Sequence, residues 1–204
     1  MKLTQPFKNY FPISQRFGQN LNASYQKDGL LGHKGIDLPM PVGTPLFSPC
    51  NGQVISVSTN IQKGEGVSIL TDDLFDYNGQ PCKLICVLWH MKDQSIVVGV
   101  GQKVKTVDPL GLSGNTGNST GPHLHFQVAP IAPDGSWREL AHGNGYEGCI
   151  DPLPYLNLDV APENPIVKNA KKLQQFLNDN GANLVVDGKF GRLSMRALND
   201  FIGK

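Results

Sequence analysis

Short apolar runs, cut again and again by glycine, proline and asparagine between Phe11 and Val128, limit most strongly what this chain can fold into. GQVISVST (52–59), GVSILTD (66–72), CKLICVLWHM (82–91), SIVVGV (95–100) and HLHFQV (123–128) have the length and β-branched content of strands. NGQ at 78–80, GQ at 101–102 and GLSGNTGNSTGP at 111–122 stand between them as breakers. The 23 glycines and 15 prolines among 204 residues also favour short strands and turns over long helices. The pattern predicts a mainly β chain, an antiparallel sheet or sandwich. Residues 129–150 read as a glycine-rich excursion, and IDPLPYL (150–156) as a closing segment.

The period changes after LDVAPENP (158–165), which reads as a linker. Ile166, Ala170, Leu173 and Leu177 recur at helical spacing, and Gly181 suits the stop. Met195, Leu198 and Ile202 define a second helix, with Ser194 as its expected N-cap. The expected organisation is a β domain over 1–157, a linker over 158–165 and a small α-helical domain over 166–204. Charge divides the chain similarly: residues 1–164 carry 11 Lys and Arg against 14 Asp and Glu, residues 165–204 carry 7 against 3.

A net charge of +1 argues against nucleic acid as a general partner. There is no apolar stretch of about 18 residues, so no membrane span is expected. The opening MKLTQPFKNYFPIS has no apolar core of a secretory signal. The expectation is synthesis in a cytoplasm without a Sec signal. Cys82 and Cys86 lie in one extended segment, roughly 13 Å apart at about 3.3 Å per residue, too far to bond each other. All four cysteines are expected as free buried thiols.

The chemistry lies in the histidines, of which there are five. In HLHFQV a strand puts His123, His125 and Gln127 on one face and Leu124, Phe126 and Val128 on the other. Taken alone, that polar face is either a site or solvated surface. His90 ends an apolar strand on the face of Leu84, Cys86 and Leu88, either as a core histidine or aimed into a cleft. His33 and Asp37 are four apart, but Gly35 and Pro39 make a helix there implausible, so both belong to a loop entering a strand. Together they suggest a zinc site. Catalytic zinc keeps three protein ligands and one open position. His33, Asp37 and one of His123 or His125 supply the three. The other strand histidine lies about 6.6 Å away along the same face, beside the open position.

GHKGIDLPMPVGTPLFSPCNGQVISV, VLWHM and GNTGNSTGPHLHFQV resemble the M23 zinc metallopeptidases, the lysostaphin-like (LytM-type) peptidoglycan endopeptidases. The resemblance covers roughly residues 11–156. It implies one Zn²⁺ held by His33, Asp37 and His125, with His90 and His123 as the paired catalytic histidines. LWH replaces the family's frequent YAH, and Gln127 a common glutamate; neither removes a ligand. The tail, LQQFLNDNGANLVVDGKFGRLSMRALNDF, resembles a peptidoglycan-binding module, with Ser194 where threonine is usual. The implied activity is hydrolysis of peptide bonds in peptidoglycan stems or cross-bridges, glycine bridges and diaminopimelate links both being open.

The two-part build suits a phage-type lysin, reaching the wall through a membrane pore or on a virion. The alternative is a catalytically silent M23-like wall-binding or phage structural protein, which would be expected to lack ligands. The glycine-rich 111–122 segment reads as turns that deliver the HLH strand. In the 132–149 loop, Trp137, Arg138, His142 and Tyr146 are either groove residues or surface packing. No substrate-binding residue and no oligomeric state follow from the sequence.

Overall fold

The computed structural model describes residues 1–20, 24–60, 64–136, 140–158, 165–187, 189 and 192–202. The strands are β1 (Leu3–Thr4), β2 (Ile36–Pro39), β3 (Pro45–Phe47), β4 (Gly52–Asn60), β5 (Gly64–Thr71), β6 (Phe75–Tyr77), β7 (Gln80–Trp89), β8 (Lys103–Val104), β9 (Pro109–Leu112), β10 (His123–Ile131) and β11 (Leu156–Asn157). The helices are α1 (Ser24–Lys27), α2 (Pro165–Asp179) and α3 (Arg192–Ile202). The chain forms two compact units, Met1–Asp159 and Val160–Lys204.

The first unit is built on an antiparallel sheet in the order β2-β10-β7-β5-β4-β8, with β6 added to β7. Its register is set by the core. Ile36, Phe126, Leu88 and Val67 lie opposite one another across four strands, all fully buried. Each such side chain contributes about 1.5–3 kcal/mol by leaving water. A slip of β10 by one residue would turn Leu124, Phe126 and Val128 outward and cost on the order of 5 kcal/mol, so the register is firmly held. The next row across the same strands is therefore fixed too. It reads Asp37, His125, Trp89 and Gly66, on the opposite face. Further along β7 that second face turns apolar, with Ile85, Val87 and Ile131 buried together.

Two glycines permit this packing. A Cβ on Gly35 would stand 2.3 Å from the Phe126 carbonyl oxygen, so the segment carrying His33 and Asp37 can lie against β10 only without one. A Cβ on Gly66 would stand 2.6 Å from the Trp89 indole, which occupies that space.

Several local expectations change. Residues 95–100 form no strand. Val97 N–H donates to the Leu110 carbonyl, but β9 pairs with β3, and Ser95 Oγ takes up both the N–H and the carbonyl of Leu112. With its ladder partners taken, the segment leaves Val97 and Val100 in solvent. Residues 150–156 return to the sheets at two points, Ile150 beside Val128 and Leu156 beside Leu3. The four cysteines are buried thiols outside any disulfide. Residues 159–164 of the expected linker lie outside the described residues.

In the second unit, α2 ends where Gly181 takes φ +93°, and Ala182 N–H bonds back to the Leu177 carbonyl. Leu177 is buried, and Ala170, Leu173 and Leu198 are half-buried. Ser194 is not an N-cap: α3 starts two residues earlier, and the buried Ser194 hydroxyl accepts from Gln174 Nε2 at 3.3 Å. Met195, expected on the buried face, is exposed, and Ser194 is buried instead. The side chains of Ile166 and Ile202 lie outside the described set.

Candidate metal centre and active site

The cross-strand pairing of Asp37 with His125 puts a carboxylate and an imidazole side by side on the polar face of the sheet. His33 joins them from the preceding loop. Its backbone is fixed by bonds from His33 N–H to the Gln19 carbonyl and from Gly18 N–H to the His33 carbonyl. His33 Nε2, His125 Nδ1 and Asp37 Oδ1 then lie 2.9 to 3.1 Å from one another. The three side chains expose only 4, 14 and 12% for His33, Asp37 and His125.

Hydrogen-bond partners assign the tautomers of this triangle. His33 Nδ1 lies 3.3 Å from the Arg16 carbonyl, which can only accept, so Nδ1 carries the hydrogen and Nε2 the lone pair. His125 Nε2 donates to Gln127 Oε1 at 3.0 Å, leaving the lone pair on Nδ1. Two nitrogen lone pairs and a carboxylate oxygen at this spacing repel one another unless a cation or proton lies among them. Tetrahedral zinc with bonds of about 2.0–2.1 Å sets neighbouring ligand atoms about 3.3 Å apart, so the donor set fits that ion. Burial pushes the Asp37 carboxyl upward in pKa, but when the His125 and His33 imidazoles carry a second proton, their hydrogen bonds and charge outweigh it and hold it well below the usual carboxylate range.

His90 and His123 complete the cluster. Their rings are 4.6 Å apart, and the His90 ring is 6.1 Å from that of His125. His90 Nδ1 donates to the Thr116 carbonyl at 2.7 Å, and His123 Nδ1 to the Gly121 carbonyl at 2.7 Å. Both Nε2 atoms are thereby left as lone pairs; that of His123 is 3.6 Å from Asp37 Oδ1. Burial pushes the His90 pKa down to about 4, with His123 and His125 adding to it and the Thr116 carbonyl and Asp37 opposing. His90 follows β7 at φ +62°, a rare value for a side chain with a Cβ. Strand alternation would have sent it into the core beside Leu88; the left-handed turn sends it to the cleft. Five expected site residues, His33, Asp37, His90, His123 and His125, thus converge in one cleft of about 310 Å³.

Other residues of the cleft were not singled out from sequence. Trp89, Tyr25, Gln15, Asn118 and Thr120 line its walls. Tyr25 is held by Gln15 Nε2, which donates to its hydroxyl at 2.9 Å. Thr116 binds the glycine-rich loop to the end of β7: its hydroxyl donates to the Met91 carbonyl at 2.7 Å and accepts from Glu65 N–H at 2.9 Å. A threonine among turn residues gives no local sign of that task. His142 is exposed and outside the cluster, and Tyr146 stacks on Phe17 away from the cleft. Trp137 and Arg138 lie outside the described residues.

Fold and cluster define a class: an antiparallel β protein with a cradle for one metal ion on a sheet face, beside two unligated imidazoles. Residues 31–137 match peptidase family M23, and the chain belongs to that family. An uncharacterised metalloprotease of Buchnera aphidicola is 40% identical over 124 residues, 60% of this chain and 30% of that protein. The peptidoglycan DD-endopeptidase ShyA of Vibrio cholerae is 33% identical over 47% of this chain and 20% of its own length. The glycyl-glycine endopeptidase ALE-1 of Staphylococcus capitis is 34% identical over 61% and 29%. The chain thus spans less than a third of these curated relatives. The catalytic domain of lysostaphin from Staphylococcus simulans shares the fold, with a TM-score of 0.51 and 23% identity, over 71% of this chain and 91% of that domain.

Proposed function

We propose that this chain is a zinc-dependent endopeptidase that hydrolyses peptide bonds in the stems or cross-bridges of bacterial peptidoglycan. The observation that carries the reading is the convergence of three metal-ligating side chains with two further imidazoles whose free nitrogens face the same cleft. Relatives named as peptidoglycan endopeptidases supply the substrate class.

His33, Asp37 and His125 would hold the ion. When bound, zinc supplies Lewis-acid polarisation of a carbonyl and acidifies water. His90 stays neutral at working pH and offers Nε2 as proton acceptor, its other nitrogen being committed to Thr116. His123, fixed by Gly121, offers the second imidazole, which in its protonated form stabilises developing negative charge on the substrate oxygen. The indole of Trp89 and the phenol of Tyr25 wall the cleft and orient the peptide. The second unit, with its surplus of positive charge, serves to hold the chain on an anionic wall.

The test is digestion of purified sacculi with the zinc-loaded chain, followed by mass spectrometry of the released fragments. New amino and carboxyl termini within stems or bridges, abolished by chelation and restored by zinc, are expected. Unchanged fragments from walls of both cross-link types would sink the proposal.

A further inference from the structure

We infer that Glu65 is a positioning residue for His90: from inside the protein it holds the strained turn that aims this imidazole into the cleft. This rests on the endopeptidase reading, in which His90 is a working group.

The turn needs an external hold. His90 at φ +62° and Gln94 at φ +54° both occupy the left-handed region with a Cβ. Such a conformation is disfavoured for a residue with a Cβ, so the form persists only when its surroundings impose it. Glu65 grips the turn with its main chain and its side chain. Its carbonyl accepts from Met91 N–H at 3.0 Å. Its N–H donates at 2.9 Å to the Thr116 hydroxyl, which itself donates to the Met91 carbonyl, while the Thr116 carbonyl holds His90 Nδ1. The Glu65 carboxyl accepts from the backbone N–H of Gln94 and lies against Asp93.

A glutamate is costly there unless it is neutral. Glu65 is 2% exposed, and its Oε2 receives no hydrogen bond from the described residues. An ionised carboxylate with one buried oxygen left without a donor is strongly disfavoured. β4 presents Thr59 opposite it, and the 113–122 loop presents Thr116, neither of them charged. Among the described residues, Asp93 is the titratable group that faces it; Lys92 is exposed. Burial and Asp93 raise the Glu65 pKa. The neutral acid can donate its O–H to Asp93 while accepting from Gln94; the ionised form sets two negative charges together. An acid whose folded pKa is raised stabilises the fold in full below its unfolded pKa, and loses this as pH rises through the folded value. The turn is therefore tight while Glu65 is protonated and loosens as pH rises through its folded pKa.

The test compares Glu65→Gln and Glu65→Ala with wild type. The readouts are kcat and KM against pH, zinc content, and the His90 ring nitrogens by NMR in zinc-free protein. Glu65→Ala should lower kcat at least tenfold with zinc content unchanged, and release the His90 Nδ1–H signal from its fixed position. Glu65→Gln, permanently neutral and of the same shape, should restore kcat to within threefold and remove the Glu65-linked loss on raising pH. If Glu65→Ala does not fold, the glutamine variant decides. A Glu65→Gln variant with the wild-type pH profile and the wild-type response of the His90 signals to pH overturns the inference. If no chain cleaves peptidoglycan, wild type included, the endopeptidase reading has failed. The ring signals then still decide for or against Glu65.

Discussion

Asp37 and His125 face each other across β2 and β10, with Asp37 Oδ1 2.9 Å from His125 Nδ1. The same register buries Ile36 and Phe126 one position away. Core packing thus places two metal ligands side by side, and the His33 loop has only to add the third.

Asp37→Ala and His125→Ala should therefore lose the ion while keeping the sheet, since neither side chain belongs to the apolar core. Removing one ligand of three should weaken zinc binding at least about 100-fold, or about 2.7 kcal/mol. Competition with a chromophoric chelator would measure this. Near-wild-type affinity in either variant would remove that residue from the ligand set.

His90→Ala and His123→Ala should behave oppositely. Their nitrogens face the cleft without belonging to the ligand triangle. Each variant should bind close to one zinc ion and lose about 10²–10⁴-fold in turnover. Elemental analysis beside a wall-lysis assay separates the two classes, and a lytic His123→Ala variant would refute its assignment.

Thr116→Val keeps the shape but strips the hydroxyl shared by Glu65 N–H and the Met91 carbonyl. Two buried backbone groups lose their partner, at about 1–3 kcal/mol each. Urea unfolding should show a loss of about 2–4 kcal/mol, with kcat lowered about tenfold and zinc content unchanged. A variant of wild-type stability would mean that the hydroxyl is dispensable to the turn.

In zinc-free protein, His90 titrates at about 4, against 6.5 for an ordinary histidine. Between those values the unfolded chain takes up a proton that the folded one refuses. The contribution of His90, about 3 kcal/mol, is present in full above the unfolded value and disappears as pH falls through the folded one. Urea midpoints from pH 7 to pH 4 should fall more steeply for wild type than for His90→Asn. Parallel profiles would mean that the ring is not desolvated.

Much of the site was legible before any fold was known, because a strand's period of two is a local property of the backbone. HLHFQV sorts its imidazoles from Leu124, Phe126 and Val128 wherever it lies, and the buried and polar faces follow. Residue chemistry likewise restricts the ligands to His33, Asp37 and the strand histidines, and the helical period marks off the tail. Local reading failed where non-local partners decide. SIVVGV has strand composition but finds its ladder positions taken, and Ser194 turns inward to Gln174 instead of capping a helix. The family resemblance implied the ligand set, but the tertiary structure alone decided the register that pairs Asp37 with His125, the left-handed turn by which His90 leaves the core, and the hold of Glu65 and Thr116 on that turn. These are relations between segments far apart in the chain. They depend on which register buries the most apolar surface, and no local spacing carries that information.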